Sequence, residues 1–341
     1  MTTLIIAVIF LAVLIIGHEF GHFAVAKLFG LRVDEFGFGF PPRILSKKVG
    51  ETEYTLNAIP FGGFVKIYGE DRNGVGAGDD KRNFQNMASY KKALVIVSGA
   101  VMNFLIGWLA ISAVFMIGTP QSVFVGQVQS GSPASLAGIV SGDRLVEFKM
   151  ITDFTSFIDS NRGQNIALKI TRNNEEININ VTPRTNPPTG EGPLGVSLID
   201  GGVPKQSFFR ALYDGLKTSA SIIAVIFASI FSLIISLFSG NWGLASTVSG
   251  PVGIFAFLGT ATSLGIVYLF QILGLISLNL AAMNVIPFPA LDGGRLFFVI
   301  YEKISGGRLS ERFESLSHAI GFAILVSLMI AVTIKDIMKL I

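Results

Sequence analysis

Residues 18–22 read His-Glu-Phe-Gly-His and lie inside an apolar run long enough to span a membrane as a helix. Leu4 to Ile16 is apolar without a break, and Phe23, Ala24, Val25 and Ala26 continue the run. Few folds remain open to such a chain, because ionisable groups at membrane depth are costly and by default mark a functional site. Two histidines at i and i+4 of a helix share one face, about 6 Å apart along the axis. That geometry suits two imidazoles on one zinc ion and leaves Glu19 beside them to act on water. Two blander readings stand next to it. A soluble helix could carry both histidines as core residues, but the chain has only three histidines and two are here. A secretory signal would need a basic start and a small-residue cleavage site; Met1-Thr2-Thr3 is not basic, and no such site precedes the motif.

Only 14% of the 341 residues are charged and 50% are hydrophobic, whereas an ordinary soluble domain is about 25% charged. With a mean hydropathy of +0.61, the chain reads as an integral membrane protein. Its net charge of +3 is too small to argue for a nucleic-acid partner. It has no cysteine, which excludes disulfides, thiolate zinc sites and a cysteine nucleophile. Any metal must therefore use histidine and carboxylate ligands.

Further membrane signals follow. Ala93 to Gly118 carries no charge, and Thr218 to Leu291 contains no Asp, Glu, Lys, Arg or His. Within the latter, Ser219–Phe238 and Gly253–Met283 are apolar blocks, separated by a Gly/Ser/Asn-rich break at Ser239–Gly250. A last block runs from Ala319 to Ile334, and His318 at its border reads as interfacial rather than as a ligand. Residues 27–92 carry eleven Lys and Arg, while the stretch before the first span has none. The positive-inside rule then predicts a cytoplasmic 27–92 and an extracytoplasmic N-terminus. His18 would lie about 24 Å along its helix from Thr2, a few ångströms from the cytoplasmic edge of a core about 30 Å thick.

Residues 119–204 differ in kind. Alternating runs such as Ile166-Ala-Leu-Lys-Ile-Thr171 and Ile177-Asn-Ile-Asn-Val181 predict half-buried strands. Gly131-Ser-Pro-Ala-Ser-Leu-Ala-Gly138 and Gly142-Asp-Arg-Leu-Val-Glu147 resemble the short helix and following strand of a PDZ domain. Lys149 and Met150 stand where the turn after that strand is usually Asn-Gly, so capture of a peptide carboxylate does not follow from the likeness.

A catalytic zinc takes three protein ligands and keeps one open position. Asp292, in Asn284-Val-Ile-Pro-Phe-Pro-Ala-Leu-Asp-Gly-Gly-Arg295, is the first ionisable residue after the charge-free stretch. Pro287 and Pro289 break a helix there. The residues alone leave two roles equally open for Asp292: third ligand, or cap of the next helix.

His18-Glu19-x-x-His22, the Asn-x-x-Pro-x-Pro-x-Leu-Asp-Gly run at 284–293 and a PDZ-like insert between them together resemble the site-2 proteases, of the bacterial regulator-of-sigma-E type. Pro60-Phe-Gly-Gly-Phe-Val-Lys66, Gly99-Ala-Val-Met-Asn-Phe104 and Ser249-Gly-Pro-Val-Gly253 extend the likeness over nearly the whole chain. The resemblance implies a Zn2+ cofactor on His18, His22 and Asp292, Glu19 as general base, and Asn284 as a residue that positions substrate or the active-site loop. It also implies a membrane-re-entrant β-hairpin at 33–67, with Gly37, Gly39, Tyr54 and Leu56 positioning an unwound substrate by strand addition. The expected fold is mainly α-helical and polytopic, with about four transmembrane helices, the hairpin and a small α+β insert. Its parts would be 1–118, the extracytoplasmic 119–204, an amphipathic peripheral 205–250, and 251–341. The expected partners are single-pass transmembrane substrates, such as anti-sigma factors or signal-peptide remnants, and membrane lipids. The expected location is a bacterial cytoplasmic membrane.

The family's better-known members carry two PDZ domains, and 119–204 has room for one. A rival reading is a zinc-binding membrane scaffold without protease activity, which has no need of Glu19. Metal transport is weaker, since a path would need further intramembrane carboxylates or histidines. Asp292 can face His18 only if 219–238 does not cross the membrane, which leaves four spans and a cytoplasmic 292–318 carrying Arg295, Lys303, Arg308 and Arg312.

Overall fold

The computed structural model describes residues 2–70, 81–172, 175–188, 190–239, 250–307 and 309–340. Ser249, Arg308 and nearly all of the 239–250 break lie outside the described residues. The chain divides into two compact units, residues 1–113 with 209–341, and residues 114–208.

In the first unit, α1 (Thr2–Leu28) carries the His-Glu-x-x-His run and leads into β1 (Val33–Val49) and β2 (Thr52–Ile67). Then come α2 (Ser89–Ile117) and, after the second unit, α5 (Phe208–Phe238), α6 (Pro251–Leu264), α7 (Ile266–Val285), α8 (Asp292–Ser305) and α9 (Glu311–Leu340). Five of these helices are long and apolar enough to cross a membrane: α1, α2, α5, α7 and α9. The protein is a mainly helical, polytopic membrane protein with small β regions. Half of the apolar window of α2 is buried, against 6% for those of α5 and α9, so α2 is the enclosed helix of the bundle.

Glycines let α1 and α2 approach closely. A Cβ on Gly21 would lie 2.3 Å from the Ser98 carbonyl oxygen, and one on Gly17 would lie 2.3 Å from Ile106 Cδ1. Small residues spaced by four are how helices approach without a hydrophobic driving force between them.

The apolar block expected as one unit at 253–283 is two helices. Gly265, at φ 112, separates α6 from α7 in a conformation that L side chains rarely adopt. Gly250 offers α6 no capping side chain, and Asp336 of α9 substitutes for one: its Oδ2 accepts from the N–H groups of Gly250 (2.7 Å) and Gly253 (2.9 Å). The same contact leaves no room for a side chain at Gly250, whose Cβ would lie 2.8 Å from Val332 and 2.9 Å from Asp336 Oδ2.

β1 and β2 each bend, so each supplies two paired segments. The first half of β1 pairs with both halves of β2: Phe36 faces Tyr54 on one side and Val65 on the other, and Gly37 faces Thr55 and Phe64. The second half of β1 pairs outside 53–57, as in Lys47 with Tyr54. The segments therefore run 43–49, 52–57, 33–38, 63–67. Only the outer two have an unpaired side, and no strand among the described residues pairs with the outer side of 63–67. The hairpin turn is anchored by Glu51, which accepts from Lys27 Nζ (2.6 Å) at the end of α1 and from Arg82. Those two cations hold the Glu51 carboxyl down to about 2.

The second unit is a five-stranded antiparallel sheet in the order β6-β5-β4-β3-β7. Its strands are β3 (Ser122–Val128), β4 (Arg144–Leu145), β5 (Ile166–Arg172), β6 (Glu175–Val181) and β7 (Val196–Gly201), with helices α3 (Pro133–Leu136) and α4 (Ile151–Ser160). Its core gathers Val123, Val125, Leu145, Phe154, Leu168 and Ile170. The alternate-residue burial of β5 is what its sequence dictates. Asp143 has no exposed side-chain surface. It accepts from the Val140 N–H and from the Arg172 guanidinium through two bonds of 2.7 and 2.8 Å. Burial alone would raise its carboxyl, but the Arg172 guanidinium and the Val140 N–H together outweigh burial and lower it.

Candidate metal centre and active site

On α1, His18 and His22 share a face, and their Nε2 atoms lie 3.2 Å apart. Asp292 Oδ2 lies 3.1 Å from His18 Nε2 and 3.2 Å from His22 Nε2. Asp292 begins α8 but does not cap it, because Leu291 occupies the N-cap position and makes no side-chain cap bond. Of the two roles that the sequence left open, the structure shows the carboxylate turned to the histidines.

The atoms present fit a zinc ion. The Nδ1 of His22 donates to the Val95 carbonyl at 2.8 Å, so its Nε2 presents a lone pair. Asp292 Oδ2 is buried and, despite two neighbouring nitrogens, receives no well-directed hydrogen bond. Ring nitrogens of two imidazoles and a carboxylate oxygen thus converge on one point. Among the described residues, this is the one cluster of at least three metal-binding side chains. Three such ligands leave zinc's fourth position open.

The cluster opens on a cavity of about 210 Å³ lined by His18, Glu19, His22 and Asp292, by Gly63, Phe64, Val65 and Ile67 of β2, by Glu70 and Arg295, and by Val95 and Ile96 of α2. Glu19 therefore faces the same space as the ligands. A Cβ on Gly63 would lie 2.9 Å from Glu19 Cγ, so the β2 edge passes directly over the glutamate. Arg295 pairs with Glu70 at 2.6 Å on the cavity wall.

Gly37, Gly39, Tyr54 and Leu56 do not line this cavity. Gly37, Tyr54 and Leu56 lie on the inner hairpin segments, each paired on both sides, and Gly39 follows at the bend, its carbonyl taken by Asn57 Nδ2. Tyr54 packs on Phe23 and Phe36 instead. Gly63 and its neighbours were the less obvious choice because the sequence shows two β-prone stretches but not which of their halves ends at an edge. Asn284, at the end of α7, places Nδ2 3.4 Å from His18 Nδ1.

His318 is more than interfacial. Its Nδ1 accepts the Ala290 N–H at 2.9 Å. Ala290 has φ 79, a left-handed conformation that costs an alanine about 1–2 kcal/mol. This bond holds the loop that delivers Asp292. Gly293 and Gly294 are required beside it, since a Cβ on either would lie within 2.4 Å of a carbonyl oxygen of the same loop.

The family model for peptidase family M50 matches residues 6–328. A Clostridium perfringens protein assigned as a zinc metalloprotease is 33% identical over 339 residues, covering 98% of each chain. Zinc metalloprotease RasP of Oceanobacillus iheyensis is 28% identical over 434 residues, covering all of both chains. The regulator of sigma-E protease RseP of Salmonella typhimurium is 28% identical over 447 residues, covering 98% of each. Those last two alignments exceed the 341 residues here, so both relatives carry sequence with no counterpart in this chain. The chain belongs to peptidase family M50, the site-2 proteases. It is a zinc-dependent intramembrane protease of a multi-pass membrane type.

Proposed function

We propose that the protein hydrolyses peptide bonds within or near the transmembrane segment of single-pass membrane proteins, with His18, His22 and Asp292 holding zinc and Glu19 as general base. The observation that carries this is the shared cavity: Glu19, the three ligands and an unpaired strand edge all face one space. Bound zinc supplies Lewis acidity, polarising a carbonyl oxygen and acidifying water. Glu19 takes a proton from the attacking water and returns it to the leaving amine. A helical substrate hides its carbonyls in i to i+4 bonds and must unwind before attack. The outer edge at Gly63–Val65 offers backbone N–H and C=O groups to the unwound segment as an added strand, beside Glu19. Asn284, at the ligand end of α7, positions the substrate backbone.

The basic 27–92 segment argues for a centre near the cytoplasmic side of the membrane. Contacts of α6 support four crossings, α1, α2, α7 and α9. Gly259 of α6 lies against Thr3 at the start of α1, and Gly250 against Asp336 near the end of α9. These are the α1 and α9 ends expected outside, so α7 alone carries the chain back to Asn284 and Asp292. At 20 residues and 1.5 Å per residue, α7 is long enough. The second unit would then be an extracytoplasmic PDZ-like domain.

The test is purified full-length protein in lipid nanodiscs with a single-pass model substrate. Glu19→Gln should retain zinc while cleavage falls by about 10²–10⁴-fold, the usual contribution of a general base. Near wild-type cleavage by the variant would overturn Glu19 as the general base, and absence of cleavage by the zinc-loaded wild type would leave the scaffold reading standing.

A further inference from the structure

The two zinc-binding histidines need orienting partners, and both partners lie on α2. A histidine that ligates through Nε2 carries its proton on Nδ1, and the group accepting that proton fixes the tautomer and the plane of the ring. For His22 the acceptor is the Val95 carbonyl, at 2.8 Å. Two turns further along α2, the Asn103 side chain lies 3.2 Å from His18 Nδ1. Gly99 stands halfway between, and a Cβ there would lie 2.4 Å from His22 Nε2 and 2.6 Å from His18 Cε1. One face of α2, at 95, 99 and 103, is thus shaped to the histidine pair.

We propose that Asn103 is a positioning residue of the zinc centre, its amide oxygen accepting the His18 Nδ1–H and holding Nε2 toward the metal. Nδ2 of Asn103 faces His18, and Oδ1 is buried without a partner among the described residues. The two amide orientations are interchangeable by a half-turn of the side chain. The ligating tautomer decides between them, because a proton on Nδ1 demands an acceptor and Nδ2 is a donor. Asn284 also approaches Nδ1, at 3.4 Å. Asn103 is the better-held partner: it is 1% exposed, and its backbone carbonyl accepts the Ser277 hydroxyl of α7 at 2.7 Å, with Ser277 fully buried. Asn284 is partly exposed at the end of the same α7 and stays available to substrate. The bond from Ser277 also fastens α2 to the helix that carries Asn284, so one residue sets the ring plane of His18 and ties it to the substrate side of the centre.

The inference rests on His18 ligating through Nε2, and the experiment separates the two claims. Full-length Asn103→Leu and Asn103→Asp proteins are titrated with zinc against a chelator, and with Co2+ followed by its visible spectrum. The acceptor role predicts 10–100-fold weaker metal binding and an altered cobalt spectrum for Leu. Asp, which keeps an acceptor, should bind within a few-fold of wild type. A residue that only fills space predicts the reverse order, since Leu suits an apolar helix and Asp brings a charge into it. Tight zinc in the Leu variant, or a tenfold loss in Asp, overturns the proposal. If the Leu protein fails to fold, the Asp result alone decides. His18→Ala is run alongside: undiminished zinc affinity there would overturn the ligand set and this proposal together.

Discussion

Gly99→Ala adds one methyl group to α2, and its effect can be worked from the contacts. The new Cβ would lie 2.4 Å from His22 Nε2 and 2.6 Å from His18 Cε1. Ordinary heavy-atom contacts are about 3.5–4.0 Å, so the histidines or the helix must yield by about 1 Å. Two stability effects oppose each other: Ala gains about 1 kcal/mol over Gly in a helix, and overpacking costs about 1–3 kcal/mol. The melting temperature should therefore move by only a few degrees. Function has no such compensation. A displacement of about 1 Å at a reacting centre costs on the order of 10²-fold in rate, and here it falls on both histidines at once. The assay is cleavage of a single-pass substrate in nanodiscs, with zinc content by elemental analysis and thermal unfolding of the same preparations. Gly259→Ala is the control, because among the described residues the one atom of another element within 4 Å of its Cβ would be Thr3 Cγ2 at 3.7 Å, an ordinary contact. Cleavage by Gly99→Ala within threefold of wild type, at full zinc occupancy, would refute the reasoning.

Asp292→Ala should lose zinc as well as activity, unlike Glu19→Gln; elemental analysis showing unchanged zinc would remove Asp292 from the ligand set. For topology, a cysteine at Ser310 in this cysteine-free chain should resist a membrane-impermeant thiol reagent in intact cells and react after permeabilisation. Labelling in intact cells would mean either that α5 crosses or that the two sides are reversed. The Asp143–Arg172 pair should make the second unit acid-sensitive. Because the folded carboxyl is lowered, its stabilisation is present above the unfolded value of about 3.9 and is lost as pH falls below it. Hydrogen exchange of residues 114–208 in the full-length protein should rise at that pH, and in Asp143→Asn the corresponding step should vanish.

The site was legible where chemistry conflicts with its surroundings. His18, Glu19 and His22 are conspicuous in an apolar run, and Asp292 is conspicuous after a long stretch with no ionisable group. Residues that act through geometry alone gave a fainter signal. Gly17 with Gly21, and Gly99 with Asn103 and Gly107, recur every fourth residue, which in a membrane helix marks a packing face. The structure shows what the spacing alone does not, that Gly99 and Asn103 meet the histidines of α1 while Gly107 meets α7 at Leu278. His318 and Asp336 were hidden for a different reason: each serves a backbone group more than 25 residues away in sequence, and no local pattern records such a bond.

The hairpin shows the limit most clearly. Its β-propensity, aromatic content and glycines were readable, and the family likeness pointed to Gly37, Gly39, Tyr54 and Leu56. Which backbone is free to receive a substrate, however, depends on where each strand bends and pairs again. Phe36 pairs on both sides, with Tyr54 and with Val65, so the segment carrying the Gly-Phe-Gly run is interior. The edge is left to 63–67, whose Gly63 admits no side chain without striking Glu19 or Ile15. Substrate binding at a strand edge beside Glu19 would need an unpaired backbone and a minimal side chain. Gly63, the second glycine of Pro-Phe-Gly-Gly-Phe, meets both conditions, so the proposed edge lies there, while the glycines of Gly-Phe-Gly-Phe lie away from the cavity.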